Sequence, residues 1–147
     1  MEIQILKVNE DAILPQKAHD NDQCWDLFAA EYAEILPWHT VAVTLGIKVI
    51  LPEGYGFEFR ERSGLALNNG VIIGGGIIDN GYVGEWKVIV HNNSHESLTI
   101  TRGSKIAQGE LVKIINSDIV EISQDKFNEL QQSKDSRGEK GFGSSGK

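Results

Sequence analysis

A chain of 147 residues, 40% apolar with three Trp and five Phe, carries enough hydrophobic side chains for one domain with a sizeable core. Its formal net charge of −7 argues against sequence-independent binding to DNA or RNA, which depends on basic patches, so no direct nucleic-acid partner is expected. One cysteine excludes an internal disulfide framework, no run approaches the ~20 apolar residues that span a bilayer, and Met1-Glu2-Ile3-Gln4 lacks the regions of a secretory signal; the chain reads as soluble, cytoplasmic and without a membrane partner.

In chain order, Val/Ile-rich runs at 3–8, 41–49, 56–60, 86–92, 98–101 and 106–115, punctuated by Gly, Asn and Pro, predict β-strands spaced as in a sandwich or barrel. A single helical turn is expected at 64–68 and a weak polar helical stretch at 124–132. Neither could serve as a crossover helix, which disfavours a parallel α/β sheet. From 123 onward the chain turns polar and charged. The expected organisation is a β-barrel core over 1–122, a polar tether over 123–136 and a Gly-rich C-terminal arm over 137–147.

Several segments carry residue types suited to chemistry. Asp26, in Gln23-Cys24-Trp25-Asp26-Leu27, lies between large apolar residues and is open to two readings, a turn-capping carboxylate or one placed for a metal's water shell. Arg62-Ser63-Gly64-Leu65-Ala66 is either a capped turn with an exposed Arg or a phosphate site made of backbone N–H groups, a hydroxyl and a guanidinium. Three consecutive glycines, Gly74-Gly75-Gly76, weaken a strand unless a ligand or backbone approaches closely, and Asn80-Gly81 is a type I′ turn signal. A β-hairpin is therefore expected at 74–85. Its mouth either exposes main-chain donors and acceptors beside Asp79 and Tyr82, or is an ordinary surface turn. Gln108 is a polar residue entering an apolar strand and needs a partner.

His91 and His95 are spaced i,i+4, but Asn92-Asn93-Ser94 between them reads as a turn, and His19 and Cys24 lack paired ligands, so zinc is not expected. The tail from Arg137 to Lys147 combines four glycines, Ser144, Ser145 and Phe142, either as a disordered terminus or as a phosphate clamp with a ring that lies on a base. Gly141, Gly143 and Gly146 match GxGxxG, yet the chain stops one residue later, so no dinucleotide-binding unit follows. A small polyanion would find positive charge at Arg62, Lys105, Arg137 and Lys140, supplemented by a divalent cation.

In this order and at these separations, five segments over residues 18–146 resemble the five motifs of the all-β, homotrimeric deoxyuridine triphosphatase (dUTPase) family. The resemblance implies an all-β fold, a distorted jelly-roll or β-barrel of the β-clip type, with one short helical turn and a flexible C-terminal arm. It also implies dUTP as substrate, Mg²⁺ as cofactor and a homotrimer with active sites at subunit interfaces. By the same resemblance Asp26 holds magnesium through water, Arg62, Ser63 and Gly64 contact phosphates, and Asp79 positions and activates the attacking water. Gln108 lies near the phosphates and water. Tyr82 packs on deoxyribose, main-chain groups of Gly76 and Ile78 read uracil, and Arg137, Phe142, Gly143, Ser144 and Ser145 close over the nucleotide.

The implied reaction is hydrolysis of dUTP to dUMP and pyrophosphate by water attack on the α-phosphorus, which limits uracil in DNA and supplies dUMP. A deoxycytidine triphosphate deaminase of the same superfamily and a non-catalytic nucleotide-sensing trimer are the alternatives. Three departures from the family pattern stand out. Cys24-Trp25 replaces the usual Gly-Tyr before Asp26, Ser104 and Lys105 replace Asp and Arg before Ile106, and Lys140 stands where the arm often has Gly.

Overall fold

The computed structural model describes residues 1–132, as ten strands and two helices. In order these are β1 (Gln4–Lys7), β2 (Trp25–Phe28), β3 (Ala33–Ile35), β4 (Thr40–Ile50), β5 (Tyr55–Arg60), α1 (Ser63–Asn69), β6 (Val71–Gly74), β7 (Ile77–Ile78), β8 (Glu85–Asn92), β9 (Leu98–Ile100), β10 (Lys105–Lys113) and α2 (Gln124–Gln132). They make one sheet ordered β1-β4-β8-β6, a second ordered β2-β10-β5-β7, and a β3-β9 ribbon, with every pair antiparallel.

Alternation drives this arrangement. β4 buries Val43, Leu45, Ile47 and Val49, β8 buries Trp86, Val88 and Val90, and β5 buries Phe57 and Phe59. The two sheets meet through the Trp86 ring, whose centroid lies 4.9 Å from that of Phe57 and 5.4 Å from that of Phe59. Trp86 is 1% exposed, and among the described residues its indole N–H has no hydrogen-bond partner.

Glycine is required at Gly46, where φ is +65° and a Cβ would stand 2.9 Å from the Cβ atoms of both Ala30 and Asn9. Its carbonyl accepts the N–H groups of Val8 and Asn9, fixing the chain that follows β1 onto a bulge of β4. Among the described residues Trp38 is the one non-glycine with positive φ (63°). It is 52% exposed, and its ring stands edge-on to His95 at 5.2 Å.

The fold expectation needs correction on two counts. The sheets do not close into a barrel: closure requires each strand to have two neighbours in a consistent stagger, whereas β1, β6, β2 and β7 are all edges. The fold also has two helices where the resemblance implies one short turn; the second, α2, is the polar stretch 124–132 already read from the sequence as weakly helical. The local expectation at 74–85 fails as well. β7 pairs with β5 in one sheet and β8 with β4 and β6 in the other, so no hairpin joins them. Asp79 to Tyr82 do form a turn, closed by Tyr82 N–H to Asp79 O at 3.0 Å, but neither Asn80 nor Gly81 has the positive φ that type I′ demands. The Asn80 amide instead donates to Pro52 O (2.8 Å) and Tyr55 O (2.7 Å), tying the turn to the β4–β5 connection and the start of β5.

The chain divides into two compact units, Met1–Ile115 and the residues from Asn116 onward. In the second, α2 is preceded by Ser123, whose Oγ accepts the Lys126 N–H at 3.3 Å, and it carries a Lys126–Glu129 ion pair at 2.9 Å. None of its side chains is buried. Among the described residues no helix is long and apolar enough to cross a membrane.

Candidate active site

The second sheet has a buried face and a polar one. Leu27, Ala107, Phe57 and Phe59 point into the core, while Asp26, Gln108, Arg60, Glu110 and Glu58 share the other face. Register explains how the polar groups meet. Between Lys105 and Ala107 the β10 strand bulges against β2, with Lys105 opposite Phe28, Ala107 opposite Leu27 and Gln108 opposite Asp26. Residues three apart on a regular strand point to opposite faces; the extra residue puts Lys105 and Gln108 on the same face as Asp26.

The Asp26 carboxylate, 13% exposed, is held at both oxygens. Arg62 Nε donates to Oδ1 at 2.9 Å and Lys105 Nζ lies 2.7 Å from Oδ2. Gln108 Nε2 donates to the Glu61 carbonyl at 2.8 Å, which fixes its amide, and the Glu61 carboxylate accepts the Ile73 N–H at 2.9 Å. Arg62, with φ −83° and ψ 132°, is the N-cap of α1 but offers no side-chain cap, because its guanidinium is turned to Asp26. The start of α1 thus has N–H groups without helical partners beside Ser63 and Gly64. At Gly64 a Cβ would meet nothing within 4 Å.

Asp26, Arg62, Ser63, Gly64 and Gln108 line an open cleft of about 410 Å³, together with Ala18, Asp22, Gln23 and Cys24. Its polar lining and two guanidinium- or hydroxyl-bearing neighbours at a helix start suit a phosphate chain. Burial, with the Glu110 carboxylate adding to it, pushes the Cys24 thiol above its usual range, so this cleft residue is a poor nucleophile.

The structure brings together Asp26, Arg62, Ser63, Gly64 and Gln108. It does not bring Asp79, Tyr82, Gly76 or Ile78 to them within one chain. Asp79 lies on the β7 side of the sheet, one residue beyond the Ile78–Phe57 pair, whereas Asp26 lies on β2 in the row of Gln108 and Arg60. With strands about 4.8 Å apart and a rise of about 3.3 Å per residue, this register sets the backbones of the two residues roughly 20 Å apart.

That second corner has its own order. Gly76 O accepts the Phe59 N–H at 2.6 Å, and a Cβ on Gly76 would stand 2.6 Å from Phe59 O, so this glycine answers a close approach of backbones. Among the described residues β7 is an edge strand, and its outer side presents main-chain groups with no described strand beside them. The half-exposed Tyr82 donates its hydroxyl to Glu85 O at 3.1 Å, folding over Gly84. Arg137, Phe142, Gly143, Ser144 and Ser145 lie outside the described residues.

Sequence reasoning missed Glu61 and the partnership of Lys105 with Asp26. Nothing in a spacing of three on a strand signals a shared face. It also missed Asp22 and Gln23 on the cleft wall, although the polar run before Trp25 marks a loop next to Asp26.

Comparison with known proteins agrees along the length of the chain. The dUTPase family model matches residues 10–146. The deoxyuridine 5′-triphosphate nucleotidohydrolase of Clostridium tetani is 41% identical, with 100% of this chain and 97% of that one covered. A variant of the Staphylococcus bacteriophage 80alpha dUTPase, solved with dUpNHpp, superposes with a TM-score of 0.86 at 26% identity, covering 99% of this chain and 98% of that one. A variant of the phage phi11 dUTPase of S. aureus, whose structure details coordination of a structural Mg(II) ion, gives a TM-score of 0.78 at 24% identity over 86% of this chain and 100% of that one, a likeness of fold. A phosphate-suited cleft at the bulge of β10 and a full-length match in sequence lead to one conclusion: the chain belongs to the dUTPase family.

Proposed function

We infer that this chain hydrolyses dUTP to dUMP and pyrophosphate. The observation that carries the reading is the family match over residues 10–146, together with the cleft that gathers Asp26, Arg62, Ser63, Gly64 and Gln108. In this reading the Arg62 guanidinium, the Ser63 hydroxyl and the free N–H groups of the first turn of α1 bind the phosphates. Gln108, its amide nitrogen fixed by Glu61, faces the phosphates and water. Asp79 orients and deprotonates the water that attacks the α-phosphorus in line with the departing pyrophosphate. Tyr82 packs on deoxyribose, and the outer edge of β7 around Gly76 and Ile78 hydrogen-bonds uracil. Cytosine would leave such buried groups unpaired, at about 1–3 kcal/mol each.

The cofactor of this reading is Mg²⁺. Among the described residues no three His, Cys, Asp or Glu side chains cluster to hold a metal. The donor set therefore fits an ion that arrives on the triphosphate and is steadied through water by Asp26, whose oxygens keep lone pairs beyond those given to Arg62 and Lys105. Bound there, Mg²⁺ supplies charge neutralisation on the phosphates.

The separation of roughly 20 Å between Asp79 and Asp26 supports an assembly in which one chain's Asp79 serves another chain's phosphate cleft, hence a homotrimer with sites at its interfaces. Arg137, Phe142, Gly143, Ser144 and Ser145 complete the proposed substrate site, and an intracellular location suits the substrate. The test is to incubate the protein with Mg²⁺ and, separately, dUTP, UTP, dCTP and dTTP. Pyrophosphate and dUMP are expected from dUTP alone. Ammonia from dCTP, or no product from any of the four, would overturn the reading.

A further inference from the structure

Asp26 carries two cations where one would neutralise it. Arg62 occupies Oδ1 through Nε, and its Nη1 also reaches the Lys105 carbonyl at 3.5 Å; Lys105 occupies Oδ2. The side chains of Arg62 and Lys105 are 34% and 41% exposed, while that of Asp26 is 13% exposed. The carboxylate is therefore the fixed member and the cations are the parts free to move. Only the β10 bulge makes this trio, since without it Lys105 would not share a face with both Gln108 and Asp26.

Resting on the phosphate reading of the cleft, we propose that Lys105 is a positioning residue which keeps Asp26 paired so that Arg62 can turn from it to the incoming phosphates. If Arg62 were the sole partner, its move to phosphate would strand a largely buried carboxylate, and binding would bear that cost. With Lys105 in place the carboxylate keeps one charge-assisted contact throughout. Arg62 is then held near the cleft without being locked to Asp26. The lysine need not touch phosphate. Its contribution runs through Asp26, which separates it from an ordinary electrostatic attractor.

This distinction is measurable with inorganic tripolyphosphate as the probe, titrated calorimetrically into the full-length protein as wild type, K105M, K105R, D26N and D26N/K105M, with thermal melts recorded for each. K105M is expected to weaken tripolyphosphate about tenfold in the Asp26 background, while K105R restores affinity to within about twofold, because either cation can serve the carboxylate. In the D26N background, where no buried charge is left to strand, K105M is expected to change affinity by less than about twofold. Equal weakening in both backgrounds would make the lysine a direct phosphate contact and overturn the proposal. So would an unchanged affinity in K105M, or a wild type that does not bind tripolyphosphate. Turnover of dUTP is assayed separately; its absence alongside the expected coupling pattern would remove the catalytic reading and leave the role of Lys105 standing.

Discussion

Gly64 stands at the first turn of α1 with open space where a Cβ would be, so neither packing nor a positive φ explains a glycine there. In a helix Ala is preferred to Gly by about 0.5–1 kcal/mol. Gly64→Ala is therefore expected to raise the melting temperature by a few degrees while raising KM for dUTP by about tenfold, because the methyl group would enter the space proposed for phosphate. Steady-state kinetics beside a thermal melt decide it; unchanged KM would show that the ligand does not approach this backbone. At this scale the sequence was informative about residue types. Asp26, Arg62, Ser63 and Gln108 were each recognisable as polar groups in apolar or turn settings, and they do line one cleft. Lys105 was visible as charge but not as a partner of Asp26, since the face it occupies depends on a bulge that no local propensity encodes.

β7 is the element on which the proposed uracil side of the site depends, and it is only two residues long. It is an edge strand whose approach to β5 requires Gly76, so Gly76→Ala would peel it from the sheet rather than unfold the core, where Trp86, Phe57 and Phe59 remain packed. The expected outcome is a loss of about 1 kcal/mol in stability with kcat/KM for dUTP reduced about a hundredfold, read by denaturant melts and initial rates. A matched loss of several kcal/mol would mean that β7 belongs to the cooperative core. The same region shows why elements were less legible than residues. Asn80-Gly81 carries a strong hairpin signal, yet the Asn80 amide finds two carbonyls, Pro52 on the β4–β5 connection and Tyr55 at the start of β5, and that tertiary anchor decides the turn. The long alternating strands β4, β8 and β10 were readable because one face of each is buried; β3, three residues long, carries too little pattern to be seen.

Across the whole molecule, the two corners of the second sheet divide the proposed chemistry. If the sites form between chains, Asp79→Asn and Arg62→Ala should each be nearly inactive alone. Equal amounts co-assembled from the unfolded state should regain about a quarter of wild-type turnover, because a quarter of randomly formed interfaces pair an intact Asp79 with an intact Arg62. No recovery, with mixed assemblies verified by mass, would place both residues in one chain's site. Open sheets rather than a barrel were not legible from strand spacing, since spacing fixes how many strands form and not whether the first meets the last. The three tryptophans also sit in three surroundings: Trp86 in the core with an indole N–H that has no partner among the described residues, Trp38 half in solvent, and Trp25 against Phe57 with the Lys17 ammonium 4.6 Å from its ring. Indole emission shifts to the red as water relaxes around the excited ring, so the protein carries a built-in optical gauge. Trp86 gives a blue signal that reports core integrity, Trp38 a red one that is insensitive to it, and Trp25, packed on the core beside Phe57, an intermediate one that reports how β2 is seated, all without any attached dye.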